Sequence, residues 1–350
     1  MGANFRSDNE LPVATRIMAA LERANSGSAH SYGDDALTAR VKKRFEETFE
    51  TSVEVFPLTS GTAANALAVA QTTPPYGAVI CHRDSHLQTD ECGAPEFFSG
   101  GAKLVTLDGG DGKIGAATLK KQLANTGHAG DHASKPTLLS LTQATEFGTV
   151  YSPDEIRVLC DLAHRAGLKV HMDGARFANA VATLGCTPAA ITWRAGVDLL
   201  SFGATKNGAM MAEALLVFDA ADAVELGRRR KQSGHLISKM RYVSAQLDAY
   251  LEDDLWLELA GHANAQASRL AAGLEPLAAV EVLYPVQSNE IFIGLDDAMA
   301  DGLRAAGFEF HAWPGRPGIY RLVTGHSTRQ EEVDAFVAAA SSLQGRPAKR

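Results

Sequence analysis

Apolar positions along this chain recur with two different periods, and the switching between them lays out the fold. From Val53 onward a short apolar run, a turn and an Ala-rich or amphipathic stretch follow one another repeatedly. Strands are predicted at 53–58, 78–81, 103–107, 137–141, 168–173 and 197–203. A helix at 63–70 follows the turn Ser60-Gly61-Thr62. Another starts at Ser152-Pro153-Asp154-Glu155, a capping box with proline in the first turn, and runs to about residue 166. Thr187-Pro188 opens a further helix, and 120–135 reads as a helix tail and a polar loop. Strands alternating with helices predict an α/β fold, a mostly parallel sheet with helices on both faces.

The flanks differ. Residues 1–35 hold few strand signals, with an amphipathic helix at 12–24 and a Gly/Ser-rich loop at 26–31, and a second helix follows at 38–49. After Val217 the alternation stops, and one long helix, or two, is predicted over 220–260. The stretches EVLYPV, NEIFIGL, FEFHAW and IYRLVTG then alternate with helices near 297–306 and 328–342, an α+β pattern. The chain thus divides into an N-terminal segment (1–30), a large domain (31–240), a small C-terminal domain (241–345) and a disordered tail (346–350).

Composition narrows the function. At 350 residues, 45% hydrophobic and 21% charged, the chain has the make-up of a globular enzyme. A net charge of −8 argues against nucleic acid as partner, and the basic clusters at 42–44 and 228–231 lie in helical pattern. The four cysteines show no metal-ligand spacing and are too few for a disulfide framework, which predicts free thiols in the cytoplasm and no metal site. No apolar run approaches a membrane span, and no signal-peptide pattern opens the chain.

Two strand ends hold the strongest chemistry. HMDGAR (171–176) puts Asp173 at a carboxyl edge with Arg176 beyond it; LLSFGATKNG (199–208) puts Lys206 after an apolar strand. Ligands of open α/β sheets bind at such edges. A lone lysine is usually a solvated charge, but this one is the only charge between Leu199 and Ala212, where partial desolvation favours a nucleophilic amine. Asp before Gly is commonly a turn residue; paired with the lysine it fits pyridoxal 5'-phosphate (PLP), which needs a Schiff-base lysine and a carboxylate for its ring nitrogen. Ser60-Gly61-Thr62 opens a helix whose N–H groups could hold a phosphate, although glycine there is often only conformational. His86 lies in a polar loop, where histidine is more often solvated, and His128 and His132 read as solvated. Arg321, inside a predicted strand, is either half of a structural ion pair or a grip on a substrate carboxylate.

In order along the chain, FRSDN, YGDD, SGTAAN, DECGAPEFFS, QATEFGTVY, HMDGAR, FGATKNG, GHLISKMR and RLVT resemble the L-threonine aldolase family, and in particular the bacterial low-specificity threonine and phenylserine aldolases. The resemblance implies PLP-dependent fold type I: a large domain with a mostly parallel seven-stranded sheet and a small α+β domain. It implies cleavage of L-threonine, L-allo-threonine or L-phenylserine to glycine and an aldehyde. Lys206 would bond the cofactor aldehyde, Asp173 its ring nitrogen, and Ser60, Gly61 and Thr62 its phosphate. His86 would stack on the ring. Ser7, Arg176 and Arg321 would bind the substrate carboxylate, while Tyr32 and Lys231 would reach a neighbouring subunit's site in a homotetramer. Relatives often carry histidine where this chain has Glu146, which leaves His86, a water and Glu146 as bases for the β-hydroxyl proton. A β-eliminating lyase, a racemase or an aminotransferase would use the same lysine and aspartate. A phosphate- or nucleotide-binding module would use only the Ser60–Thr62 turn.

Overall fold

The computed structural model describes residues 2–125 and 130–344; His128 and the tail expected at 346–350 lie outside the described residues. Seven strands form the large sheet: β1 (Glu54–Leu58), β2 (Gly77–His82), β3 (Lys103–Leu107), β4 (Lys135–Thr142), β5 (Lys169–Gly174), β6 (Leu199–Gly203) and β7 (Glu213–Val217). Their spatial order is β1-β7-β6-β5-β4-β2-β3. Only β7 runs against its neighbours. Six strands therefore end at one edge, and β7 begins there. The central strands are buried on both faces, so they read as continuous apolar runs rather than alternating ones. His171 crosses this interior between the Ser140 and Ser201 hydroxyls, and burial pushes its imidazole down to about 4, so it is neutral and structural.

A second, antiparallel sheet holds β8 (Glu281–Val282), β9 (Glu290–Gly294), β10 (His311–Ala312) and β11 (Ile319–Val323) in the order β10-β11-β9-β8. The strands expected from EVLYPV and FEFHAW shrink to two residues each. Proline follows both, at 285 and 314, and cannot donate to a ladder. Asn4 bridges to Glu309 and Phe5 N–H donates to Glu309 O, which joins the N-terminal segment to this sheet.

Where one long helix or two were expected over 220–260, the chain forms three, Leu226–Gln232, Arg241–Leu251 and Leu255–Leu274. Glu225, Gly234, Asp253 and Asp254 all take positive φ, which stops a right-handed helix although their neighbours favour one. The helix expected at Thr187-Pro188 is only a short 3-10 turn, Pro188–Ile191. The expected capping box is present, Ser152 and Glu155 each bonding the other's backbone N–H.

Two large apolar cores dominate among the described residues. Residues 267–340, with Phe5, pack around the small sheet. The helix Arg241–Leu251 buries Val243, Leu247 and Tyr250 in the larger core, beyond the division expected at 241. There Phe202 is fully enclosed, its ring 5.1 Å from that of Phe45, 5.8 Å from Trp256 and 6.0 Å from those of Phe177 and Tyr250. Phe202 lies four residues before Lys206 and backs the turn that carries it. Phe202→Ala should cost about 3–5 kcal/mol through lost contacts and a residual cavity, read as a lower denaturant midpoint with an unchanged slope.

Candidate active site

The strand ends at the carboxyl edge enclose a cavity of about 330 Å³, lined among others by Ser60, Gly61, Thr62, Asn65, His86, Glu91, Glu146, Asp173, Arg176, Lys206 and Glu213. Five of the sequence-predicted groups (Lys206, Asp173, His86, Arg176 and the Ser60–Thr62 turn) thus share one space. A second compartment of about 590 Å³ meets the first at Asn9, His86, Glu146, Arg176 and Lys206. Its remaining walls include Ser7, Asp90, His311, Trp313 and Arg321.

Lys206 follows β6 in a single helical turn, Thr205–Asn207, that the tertiary fold pins down. Asn207 Nδ2 donates to Tyr250 Oη and Trp256 O, both at 2.8 Å, and Gly208 takes φ 103°. At Gly203 a Cβ would come within 2.5 Å of Ala175 O, so the lysine-bearing and aspartate-bearing strand ends approach this closely only with glycine there. Among the described residues no hydrogen bond or ion pair engages Lys206 Nζ.

Asp173, 3% exposed, accepts from Asn65 Nδ2 at 2.8 Å and from Ala175 N–H at 3.0 Å. These two donors fix the orientation of its carboxyl group. The same Asn65 amide nitrogen donates to Glu91 Oε1 at 2.7 Å, and Glu91 Oε1 lies 2.9 Å from His86 Nδ1. The hydrogen bond to Glu91 raises the His86 imidazole above its usual range, while burial raises the Glu91 carboxyl. His86, Glu91 and Asp173 bring ligand-type atoms within 4.8 Å of one another, yet Asn65 and the His86–Glu91 contact already bind them into one hydrogen-bonded network.

The helix Gly61–Thr72 points its N-terminus at the same space. Ser60 caps it, its hydroxyl taking the Ala63 N–H and its carbonyl the Ala64 N–H. The N–H groups of Gly61 and Thr62 have no partner inside the helix, and a Cβ at Gly61 would meet nothing within 4 Å. The cradle has room for an anion.

Arg176 is more heavily engaged than its sequence position suggests. Its fork donates to Asp8 at 2.8 and 3.0 Å, and Glu290 lies 3.2 Å away. Burial alone would raise the Asp8 carboxyl, but the Arg176 and Lys206 charges, with hydrogen bonds from Arg176 and Asn289, bring it below its usual value. Arg321 bonds Glu290 at 3.3 Å and Arg6 O at 3.4 Å, while its Nε is buried with no partner among the described residues. Ser7 caps the turn Asp8–Glu10. Lys231 lies over the Tyr32 ring at 4.7 Å; both are exposed, and neither lines the cavity of its own chain.

Sequence reasoning missed Asn65, Glu91, Asp8, Glu290 and Glu213. A faint signal existed for Asn65, one helical turn beyond Gly61, and for Glu91, five residues after His86. Glu146 was noticed only as a departure. Its Oε1 accepts from His86 N–H at 2.9 Å and from Thr142 Oγ1 at 2.8 Å, while Oε2 is enclosed with no partner among the described residues. Burial pushes this carboxyl up to about 7. A raised carboxyl stabilises the fold below its unfolded value of 4.5 and loses that contribution as pH rises through about 7. Glu146→Gln should therefore gain stability relative to wild type as pH climbs across that window, in denaturant midpoints taken at each pH.

The model of the family described as "Beta-eliminating lyase" matches residues 4–298. The chain is 44% identical to a low specificity L-threonine aldolase of Pseudomonas aeruginosa, over 94% of each chain. It is 42% identical to another from Pseudomonas sp., over 95% of this chain and 96% of that one. A threonine aldolase structure from Leishmania major superposes with a TM-score of 0.91 at 30% identity, covering 98% of this chain and 99% of that one. With a seven-stranded sheet whose edge joins a lysine, an aspartate and a helix N-terminus, the chain belongs to the L-threonine aldolases of the β-eliminating lyase family, carbon–carbon lyases built on PLP-dependent fold type I.

Proposed function

We propose that this chain binds PLP in the 330 Å³ cavity and cleaves L-threonine, L-allo-threonine and L-phenylserine to glycine and an aldehyde, and catalyses the reverse reaction. The observation that carries the reading is that Lys206, Asp173 and the Gly61–Thr62 amides line one space. The donor chemistry fits the cofactor: an unengaged amine for its aldehyde, a hydrogen-bonded carboxylate for its ring nitrogen, and free helix N–H groups for its phosphate. When bound, PLP supplies an electron sink for the pair left on Cα.

The chain's own residues do the rest. Asp173 holds the proton of the ring nitrogen, with Asn65 and the Ala175 N–H keeping its carboxylate fixed. His86, its ring oriented by Glu91, forms one face of the site. Ser7, Arg176 and Arg321 take the substrate carboxylate at the mouth, where Arg321 with its unmatched Nε has the most donor capacity to spare. Fixing that carboxylate orients Cα–Cβ for cleavage. The β-hydroxyl proton leaves toward the wall where His86 and Glu146 meet. The roomier compartment beside Trp313 and His311 supports acceptance of bulky, aromatic β-substituents. Exposed Tyr32, Met210 and Met211 support assembly into a tetramer in which Lys231 and Tyr32 reach a neighbour's cavity.

Lys206→Ala should abolish turnover together with the visible absorbance of the bound cofactor; a colourless wild type would refute the cofactor assignment. Asp173→Asn should lower kcat by at least about 100-fold. Cleavage of threonine and phenylserine assayed side by side, with glycine and aldehyde as products, separates this activity from β-elimination or racemisation. Equal formation of a 2-oxo acid or of the D-enantiomer would overturn it.

A further inference from the structure

The geometry points to Glu213 as a proton-linked part of the anion cradle, its carboxyl carrying a proton whenever a phosphate group occupies the helix N-terminus at Gly61 and Thr62. This rests on the proposed phosphate reading of that cradle. Glu213 opens β7, with Leu58 as its register partner on one side and Gly203 on the other. From Leu58 the chain runs into Ser60–Thr62, and from Gly203 into Thr205–Lys206. The carboxyl thus stands between the two loops and lines the cavity, although the residue is only 7% exposed. Every other position of β7 is a buried apolar residue. Oε1 accepts the Thr205 N–H at 3.3 Å, and no ion pair reaches Glu213 among the described residues.

Its charged and titratable surroundings are few. Lys206 and Asp173 face it from the neighbouring strand ends, and Tyr250 faces it from the helix Arg241–Leu251. The helix Gly61–Thr72, packed on β7, carries no titratable side chain. On β1, Glu54 lies at the far end opposite Val217, and Asp219 and Asp222 follow β7 at that same end. Arg230 donates to Pro57 O from over the Phe56 ring, and His235 bonds the Thr59 hydroxyl. Burial pushes the Glu213 carboxyl up to about 7 despite the attraction of Lys206. A phosphate group brings more negative charge into the same space, which favours the neutral acid further. A neutral carboxyl is also a donor, so it adds an O–H to the helix N–H groups where a carboxylate would repel the anion.

The test is calorimetric titration of inorganic phosphate into the full cofactor-free chain at about pH 8 and about pH 9, where phosphate is largely the dianion. If one proton must be taken up, wild-type affinity falls about tenfold over that unit. In Glu213→Gln, which keeps the acceptor and needs no proton, it should fall less than about twofold on the same linkage. Equal slopes with binding intact would overturn the role of Glu213 alone. No phosphate binding by the wild type would overturn the cradle reading and this inference with it. Should the variant fold poorly, infrared difference spectra of glutamate-labelled wild type decide. Phosphate added at pH 8 should produce a protonated-carboxyl band, and its absence would overturn the inference.

Discussion

A carboxylate taken out of water costs several kcal/mol unless donors or cations meet it, and the carboxyl edge of the large sheet collects Glu91, Glu146, Asp173, Glu213 and Glu290 around its cavities, with Asp8 joined to them through Arg176. Against them stand Lys206, Arg176, Arg321, His86 and the amides of Asn65 and Asn289. Many of the hydrogen bonds at the site follow from matching these two sets, and backbone N–H groups and Thr142 supply others.

The match is made in two ways. Toward the mouth it is ionic: Asp8, Arg176, Glu290 and Arg321 form a ladder in which each carboxylate meets a guanidinium and Asn289 adds a further donor to Asp8. Deeper in, donors run short. One amide nitrogen of Asn65 serves both Glu91 and Asp173, and the hydrogen bond to Glu91 raises the His86 imidazole. Where no ion pair forms, burial wins, and Glu146 and Glu213 move toward the neutral acid, Glu213 despite the attraction of Lys206. The amine of Lys206 is left unengaged, which suits a nucleophile better than an ion pair would.

Topology places these groups. Because β7 is antiparallel, its first residue rather than its last reaches the functional edge, and that residue is Glu213. The parallel β5 and β6 deliver Asp173 and Lys206 side by side, held close by the glycine at 203. The aromatic cluster around Phe202 stiffens the turn behind Lys206 from the opposite side. Rigid packing of this kind keeps an amine and a carboxylate at a fixed separation without a direct bond between them.

Local chemistry alone determined six strands of the large sheet but not β7, together with the Ser152 capping box, the helix opening at Ser60 and the exceptional positions of Asp173 and Lys206. Each of these is a pattern over a few neighbouring residues, and side-chain period and capping act over that range. The breaks at Glu225, Gly234, Asp253 and Asp254 were hidden because the surrounding composition favours helix and only packing against the large core turns the chain there. Asp8 and Arg176, 168 residues apart, and Asn65 and Asp173, 108 apart, meet only after folding. Charge pairing depends on distance in space, which a sequence does not carry, so the partners that tune the site, unlike the residues proposed to do its chemistry, were decided by the tertiary structure.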